Sequence, residues 1–446
     1  MKGMTYLAIA MLSVMSGSLY AATASGLTAL NDQELAAETG QALFNLTYTA
    51  PTDTANLERT RSGGEQQMGF YKLGMEADLE LNLNARKLQL GCGGTNGAGA
   101  CDIDIDYVSL SGVGNSATSN TASATDRAAR VGSSAKLVNP FMELAIKNPD
   151  TASTRQFVGL RLSSEQAFGL LTFGLENGVA KSGINSFSGY MQVKQATGKA
   201  KLNNLSNITA SDVGGQKITG RIEGTLTSGT FESDNYSLDL VFPAAGGDLV
   251  LPQQTIMGKR ITSAPLTALT TVNGIQLAGR MTAQAKALGL DLTLDKALAG
   301  TLSNLKVAVT IDQSLGMVHK ADLNGSPASL SLQGQDIQWP GAKSVAQKGW
   351  WLELSNPIDI GDVSPVAAVD VAAETLQQSL VQVSQYLYNN PVQCGFLYLG
   401  CLTSDTIDTG PVNLPDPGPH ATMALRDLTL ANQNFTPNCY GNLKFC

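Results

Sequence analysis

Six cysteines and a short run of aspartates are the residues whose types and spacing could do chemistry. Cys92 and Cys101 enclose eight residues, four of them glycine, within LQLGCGGTNGAGACDIDIDYV. A loop so rich in glycine turns tightly, and a disulfide across it pins the register of the strands on either side. Closing a loop this short is worth about 2–3 kcal/mol in the chain-entropy picture. Cys394 and Cys401 enclose six residues, as do Cys439 and Cys446. Three local pairs with none left over fit an oxidising compartment, and local pairing is the simplest connectivity open to them.

Asp102, Asp104 and Asp106 follow the first loop directly. On a strand their carboxylates project from one face about 7 Å apart, while Ile103, Ile105 and Tyr107 face the core. Such a row offers a candidate calcium site, completed by oxygens of the Gly-rich loop. It departs from an EF-hand, because Tyr107 stands where glycine is needed and no ligand glutamate follows at the right distance. The plainer alternative is a solvated acidic face that discourages edge pairing. The two histidines, His319 and His420, lie far apart, one after an apolar alternation and one in a proline-rich loop. Neither is expected to be catalytic. The chain holds no nucleophile elbow, Walker loop or dinucleotide fingerprint, and its cysteines are better explained as disulfides than as zinc ligands. No enzyme activity and no cofactor beyond the calcium candidate are expected.

The elements that must position these residues are mostly strands. Lys2 precedes an apolar run from Tyr6 to Leu19, and Ala22-Thr23-Ala24 offers a cleavage site, so residues 1–24 read as a signal peptide. The run is shorter than the about 20 residues a membrane anchor takes, and nothing later is long and uncharged enough. Residues 25–41 contain a short helix, with Leu30 before the N-cap Asn31, Glu34 as capping-box partner, and Gly40 as a stop. From Lys72 to Asn84 strict alternation predicts one half-buried strand of roughly 40 Å. Residues 111–135, rich in Ser, Asn, Thr, Ala and Gly, read as a mobile surface loop.

Alternation returns around Phe187–Lys201, Ile218–Leu226, Tyr236–Phe242, Leu290–Leu294, Leu305–Ile311, Leu330–Leu332 and Trp350–Leu354. Residues 42–260 thus form a β domain and 261–364 continue it. Between Pro365 and Pro391 the apolar spacing turns helical, so 365–390 read as a helix that could lie across or plug the β body. Residues 391–446 are a cysteine-stapled tail. The fold class is mainly β: an elongated antiparallel sheet or sandwich with one longer helix near the C-terminal third and short disulfide-closed loops.

Charged residues make up 15% of the chain and the formal charge is −8, a balance that gives no support to nucleic-acid binding. Three stretches together carry a family resemblance: LNDQELAAETGQ behind the signal, GCGG…GACDIDIDYVSLSG from Gly91 to Gly112, and the closing DLTLANQNFTPNCYGNLKFC from Asp427 to Cys446. They resemble the FilA-type pilus or surface-filament proteins of Gram-negative gammaproteobacteria. The resemblance covers both ends and roughly the first half, with nothing specific between about residues 260 and 390. It implies an exported protein produced with pilus-like components and serving surface attachment, and brings no catalytic residues.

Sequence and resemblance together lead to a cell-surface structural protein whose partners are other surface or filament subunits, a second copy of itself among them. A periplasmic or outer-membrane module for lipid or another hydrophobic ligand is the alternative, with the 365–390 helix closing a groove. A transmembrane barrel has the alternating strands in its favour, but aromatics at 6% are too few for two girdles.

Overall fold

The alternation between residues 263 and 314 folds into one long hairpin that is bent at its middle. Ser263–Val272 pairs antiparallel with Leu305–Ser314, and Ile275–Ala287 pairs antiparallel with Leu290–Ser303. Only Asn273 and Gly274 interrupt one arm, and only Asn304 the other. Gly274 and Asn304 have φ of 71° and 62°, the left-handed region that glycine and asparagine tolerate best. The corner is held by the Asn304 N–H donating to Asn273 Oδ1 at 2.8 Å and by Asn304 Nδ2 donating to the Leu414 carbonyl at 2.8 Å.

The computed structural model describes residues 43–113, 130, 133–174, 180–287, 289–371, 373–396, 400–401, 405–415, 421–431 and 433. The expected signal peptide, the 25–41 helix, most of the 111–135 loop, His420, Cys439 and Cys446 lie outside them. The described residues belong to the unit Leu43–Cys446.

The two halves of the bent hairpin enter different seven-stranded sheets. In one, Ile275–Ala287 and Leu290–Ser303 are flanked by Ser228–Val241 and, in parallel, by Thr406–Asn413. In the other, Ser263–Val272 and Leu305–Ser314 are flanked by Gly247–Leu251 and, again in parallel, by Ala421–Arg426. Period-two alternation gives each sheet an apolar face, and Leu266, Val309, Leu277 and Leu298 from the two sheets are buried in one contiguous core. The β region runs on across residue 260 within Gln254–Ile261.

The helix is Ala373–Asn389, shorter than expected. Leu376, Leu380, Val383 and Leu387 form its buried stripe, at helical spacing. Pro365 instead ends a strand, Asp362–Pro365, and Val369 pairs with Leu202. The valines at 366, 369 and 371 suit extended backbone better than helix. Among the described residues no helix is long and apolar enough to cross a membrane.

A third sheet of twelve strands carries the chemistry-bearing hairpin. Its main path runs Phe44–Thr49, Met68–Met75, Ala135–Lys147, Gln156–Thr172, Ala328–Gln333, Gly349–Leu354, Ile184–Val193, Ile103–Ser111, Leu83–Leu90. The single strand expected over 72–84 is broken into Met68–Met75, Asp78–Leu81 and the start of Leu83–Leu90. Gly74 faces Phe141 while Asp78 faces Val138, so three residues oppose two and the register shifts by one. Asn139, at φ 46°, sits opposite the bulge and donates its N–H to the Ala77 carbonyl at 3.0 Å. Leu79, Leu81 and Leu83 are exposed rather than part of one buried stripe with Leu73.

Candidate interaction face

The predicted disulfides Cys92–Cys101 and Cys394–Cys401 are formed. The first closes the turn between Leu83–Leu90 and Ile103–Ser111, which pair antiparallel with Leu90 opposite Ile103.

The three aspartates have different surroundings. Asp102 precedes the strand and is buried at 3% exposure, where it accepts from the Trp350 N–H at 3.0 Å and from Asn96 Nδ2 at 3.1 Å. It lies between Gly91 and Gly349, both at positive φ, where any Cβ would meet its carboxylate. Asp104 and Asp106 share the Lys87 ammonium, each at 2.9 Å, and Asn185 Nδ2 donates to both. Burial pushes the Asp104 carboxyl up, but the bonds from Lys87, Gln89 and Asn185 together outweigh it and hold the group below its ordinary value. Among the described residues no group of three or more acidic, His or Cys side chains is placed to hold a metal ion. Asp104 and Asp106 thus converge on Lys87, while Asp102 is held separately by Trp350 and Asn96. Ile103 and Ile105 face the core as expected, but Tyr107 takes φ 50° and the next buried position is Val108. His319 is buried, its Nδ1 3.0 Å from the Phe173 carbonyl oxygen.

The two faces of the twelve-stranded sheet differ sharply. One is covered by the 334–348 segment, with Trp339 and Ile337 packed on Trp351, Phe70, Met68 and Ala145 of the sheet. Beneath that cover lies an ion pair: Arg161 Nη2 donates to Glu143 Oε2 at 2.5 Å and to the Pro340 carbonyl at 2.8 Å. The guanidinium also sits over the rings of Phe141 and Trp339, 5.4 Å from each centroid. Burial outweighs the guanidinium's attraction and pushes the Glu143 carboxyl up.

The opposite face is apolar and open at one end. Across six strands the register aligns Leu46, Leu73, Met142, Leu162, Leu330 and Leu352. Two residues along, it aligns Tyr48, Tyr71, Leu144, Leu160, Leu332 and Trp350. Cross-strand neighbours share a face, so these are two adjacent rows. Toward Gly349–Leu354 the rows lean on the main core through Leu330, Leu352 and Trp350. Toward the sheet edge nothing described covers them: Leu46 is 69% exposed, Leu162 43%, Leu332 40% and Met142 37%. Tyr48 stacks on Tyr71 at 4.5 Å and lies over Gly69, where a Cβ would come within 2.9 Å of its ring. A contiguous exposed apolar patch is the ordinary mark of a surface that another molecule covers.

Residue-level alternation did not single out this face, because its strands come from distant parts of the chain. Glu143, Arg161 and Trp339 were missed for the same reason. Arg130, inside the expected loop, is fully buried with its Nε donating to Ser111 Oγ at 3.0 Å, and its neighbours in sequence gave no sign of that.

Compared with family models, curated proteins and solved structures, the chain gives no match. The fold itself defines a mainly β, disulfide-closed protein with one open apolar sheet face.

Proposed function

We propose that this chain is an exported cell-surface structural protein, a pilus- or filament-associated component serving attachment or biofilm, which works by association and carries out no catalysis. The observation that carries the reading is the pair of aligned apolar rows left open on the twelve-stranded sheet. Burying exposed apolar side chains returns roughly 25 cal/mol per Å², so a partner that covers Leu46, Met142, Leu162 and Leu332 gains from doing so. Two disulfides add support, since exported proteins keep such bonds. The sequence resemblance to FilA-type surface-filament proteins points the same way.

The lipid-carrier alternative needs an enclosed apolar space. Between the helix and its sheet, the space lined by Leu238, Leu277, Leu302, Leu376 and Leu380 is about 10 Å³, and a second near Val307, Val309 and Val369 is also about 10 Å³. Ligand pockets run to roughly 300–1,000 Å³. A wider depression of about 590 Å³ is open to solvent beside Thr197, Lys199 and Asp248. Among the described residues, the space under the helix is therefore too small for an acyl chain, which removes the groove that the helix was expected to close.

The test is to follow the tagged mature chain through cell fractionation, with native mass spectrometry of what is recovered. The reading expects release with sheared surface material in assemblies. Recovery solely as a periplasmic monomer carrying lipid would overturn it.

A further inference from the structure

The strand Phe44–Thr49 ends the twelve-stranded sheet, and among the described residues it pairs on one side only, with Met68–Met75. The Glu76 N–H donates to the Leu43 carbonyl at 2.9 Å, which makes residues 43 and 76 a hydrogen-bonded pair. Antiparallel ladders alternate such pairs. Asn45, Thr47 and Thr49 therefore bond inward to Gly74, Lys72 and Phe70, and the N–H and C=O groups of Phe44, Leu46 and Tyr48 point away from the sheet. These same three residues are exposed, and Leu46 and Tyr48 begin the two open apolar rows.

Edge strands are normally blunted by charge, proline or a bulge. FNLTYT has none of these and no glycine. The other end of the sheet's main path, Leu83–Leu90, carries Arg86 and Lys87. The difference matters for self-pairing, because an antiparallel strand paired with its own copy sets like residues near like. An uncharged strand meets no repulsion there, whereas Arg86 and Lys87 would face a second set of cations.

We propose that Phe44–Thr49 pairs antiparallel with the same strand of a second copy about a two-fold axis at Leu46. This rests on the association reading above and deepens it by naming the partner. In this register Leu46 faces Leu46, Phe44 faces Tyr48, and Asn45 faces Thr47. Every outward N–H and C=O of Phe44, Leu46 and Tyr48 finds a partner. The pairing is isologous, as a two-fold demands. It also keeps side-chain parity, so the open apolar faces of the two copies join into one surface. A slip of one residue would set the open face of one copy beside the covered face of the other. A six-residue ladder is small beside the roughly 800 Å² per partner of a standard interface, so the dimer exchanges with monomer and depends on concentration.

Cysteine cross-linking of the full mature chain tests both the pairing and its register. Hydrogen-bonded antiparallel partners lie about 5.5 Å apart at Cα, within disulfide reach. Leu46→Cys should give a covalent dimer under mild oxidation, at least tenfold more than Thr47→Cys, whose nearest partner across the axis is Asn45. The double variant Asn45→Cys/Thr47→Cys should restore the cross-link. Leu46→Lys, at an exposed position, should abolish the non-covalent dimer seen by native mass spectrometry while leaving the monomer folded. Equal cross-linking at 46 and 47, or none at 46, overturns the proposal. A chain that assembles in the sheared fraction without a Leu46→Cys cross-link would refute self-pairing alone. A cross-linked dimer never found at the surface would refute the attachment reading alone.

Discussion

Arg161 and Leu162 are neighbours in the chain and stand on opposite faces of one sheet: Arg161 is 6% exposed and pairs with Glu143, while Leu162 is 43% exposed and pairs with Met142 in the open row. The sheet is thus inverted relative to simple expectation, with charge beneath a cover and hydrocarbon left to solvent. The cover explains the first half. Trp339 covers the guanidinium, and the Pro340 carbonyl accepts from its Nη2. The proposed partner would cover the second.

The buried pair should be costly to break and cheap to replace. Arg161→Met strands the Glu143 carboxyl under Trp339, and such a loss typically costs about 3–5 kcal/mol. The double variant Arg161→Met/Glu143→Leu should recover most of it. Urea unfolding of the single and double variants checks this. A double variant no more stable than Arg161→Met would mean that the pair contributes through packing rather than through its charges.

Asp102 acts as a clamp between the disulfide hairpin and Gly349–Leu354. Asp102→Ala removes the acceptor for the Trp350 N–H and for Asn96 Nδ2. Leaving a buried donor unsatisfied costs about 1–3 kcal/mol. The expected result is that loss in equilibrium unfolding, unchanged by added calcium. A calcium-dependent gain in wild-type stability that Asp102→Ala abolishes would instead show a metal site there.

Asp104 should make stability depend on acid. Its folded-state pKa lies below its ordinary value, so its contribution is full above the unfolded aspartate range and is lost as pH falls through the lowered folded value. Asp104→Asn should therefore destabilise the protein near neutral pH and converge on wild type in acid. Thermal unfolding from pH 7 down to pH 2 reads the two curves. Curves that stay parallel through acid would contradict it. Because Lys87 is 42% exposed, salt should shrink the difference.

Sequence patterning carried the local structure further than the assembly of it. Of the 263–314 hairpin, Leu290–Leu294 and Leu305–Ile311 in the returning arm were legible from their alternation, but the partner arm and the corner at Gly274 and Asn304 were not, and nothing local says that the two halves enter different sheets. The disulfides Cys92–Cys101 and Cys394–Cys401 were legible from spacing alone. Asp102 was not, because its burial depends on Trp350, 248 residues away. The bulge at 75–77 was hidden by unbroken alternation, since register is set by the opposite strand and by Asn139. The open face was invisible for the same reason: Leu46, Met142, Leu162 and Leu332 become neighbours only through pairing.

If the open rows are a surface for association, charge placed on them must disperse the assemblies. The most direct measurement compares wild type with Met142→Lys/Leu162→Lys in the sheared surface fraction, with unfolding of the purified chains alongside. The two lysines would stand directly opposite each other at partly exposed positions, so a loss of about 1–2 kcal/mol is expected, and the unfolding curves must show that the monomer is still folded. Assemblies present in the wild-type fraction should disappear with the double variant while the folded monomer persists. Assemblies undiminished by two lysines in the middle of that face would contradict it.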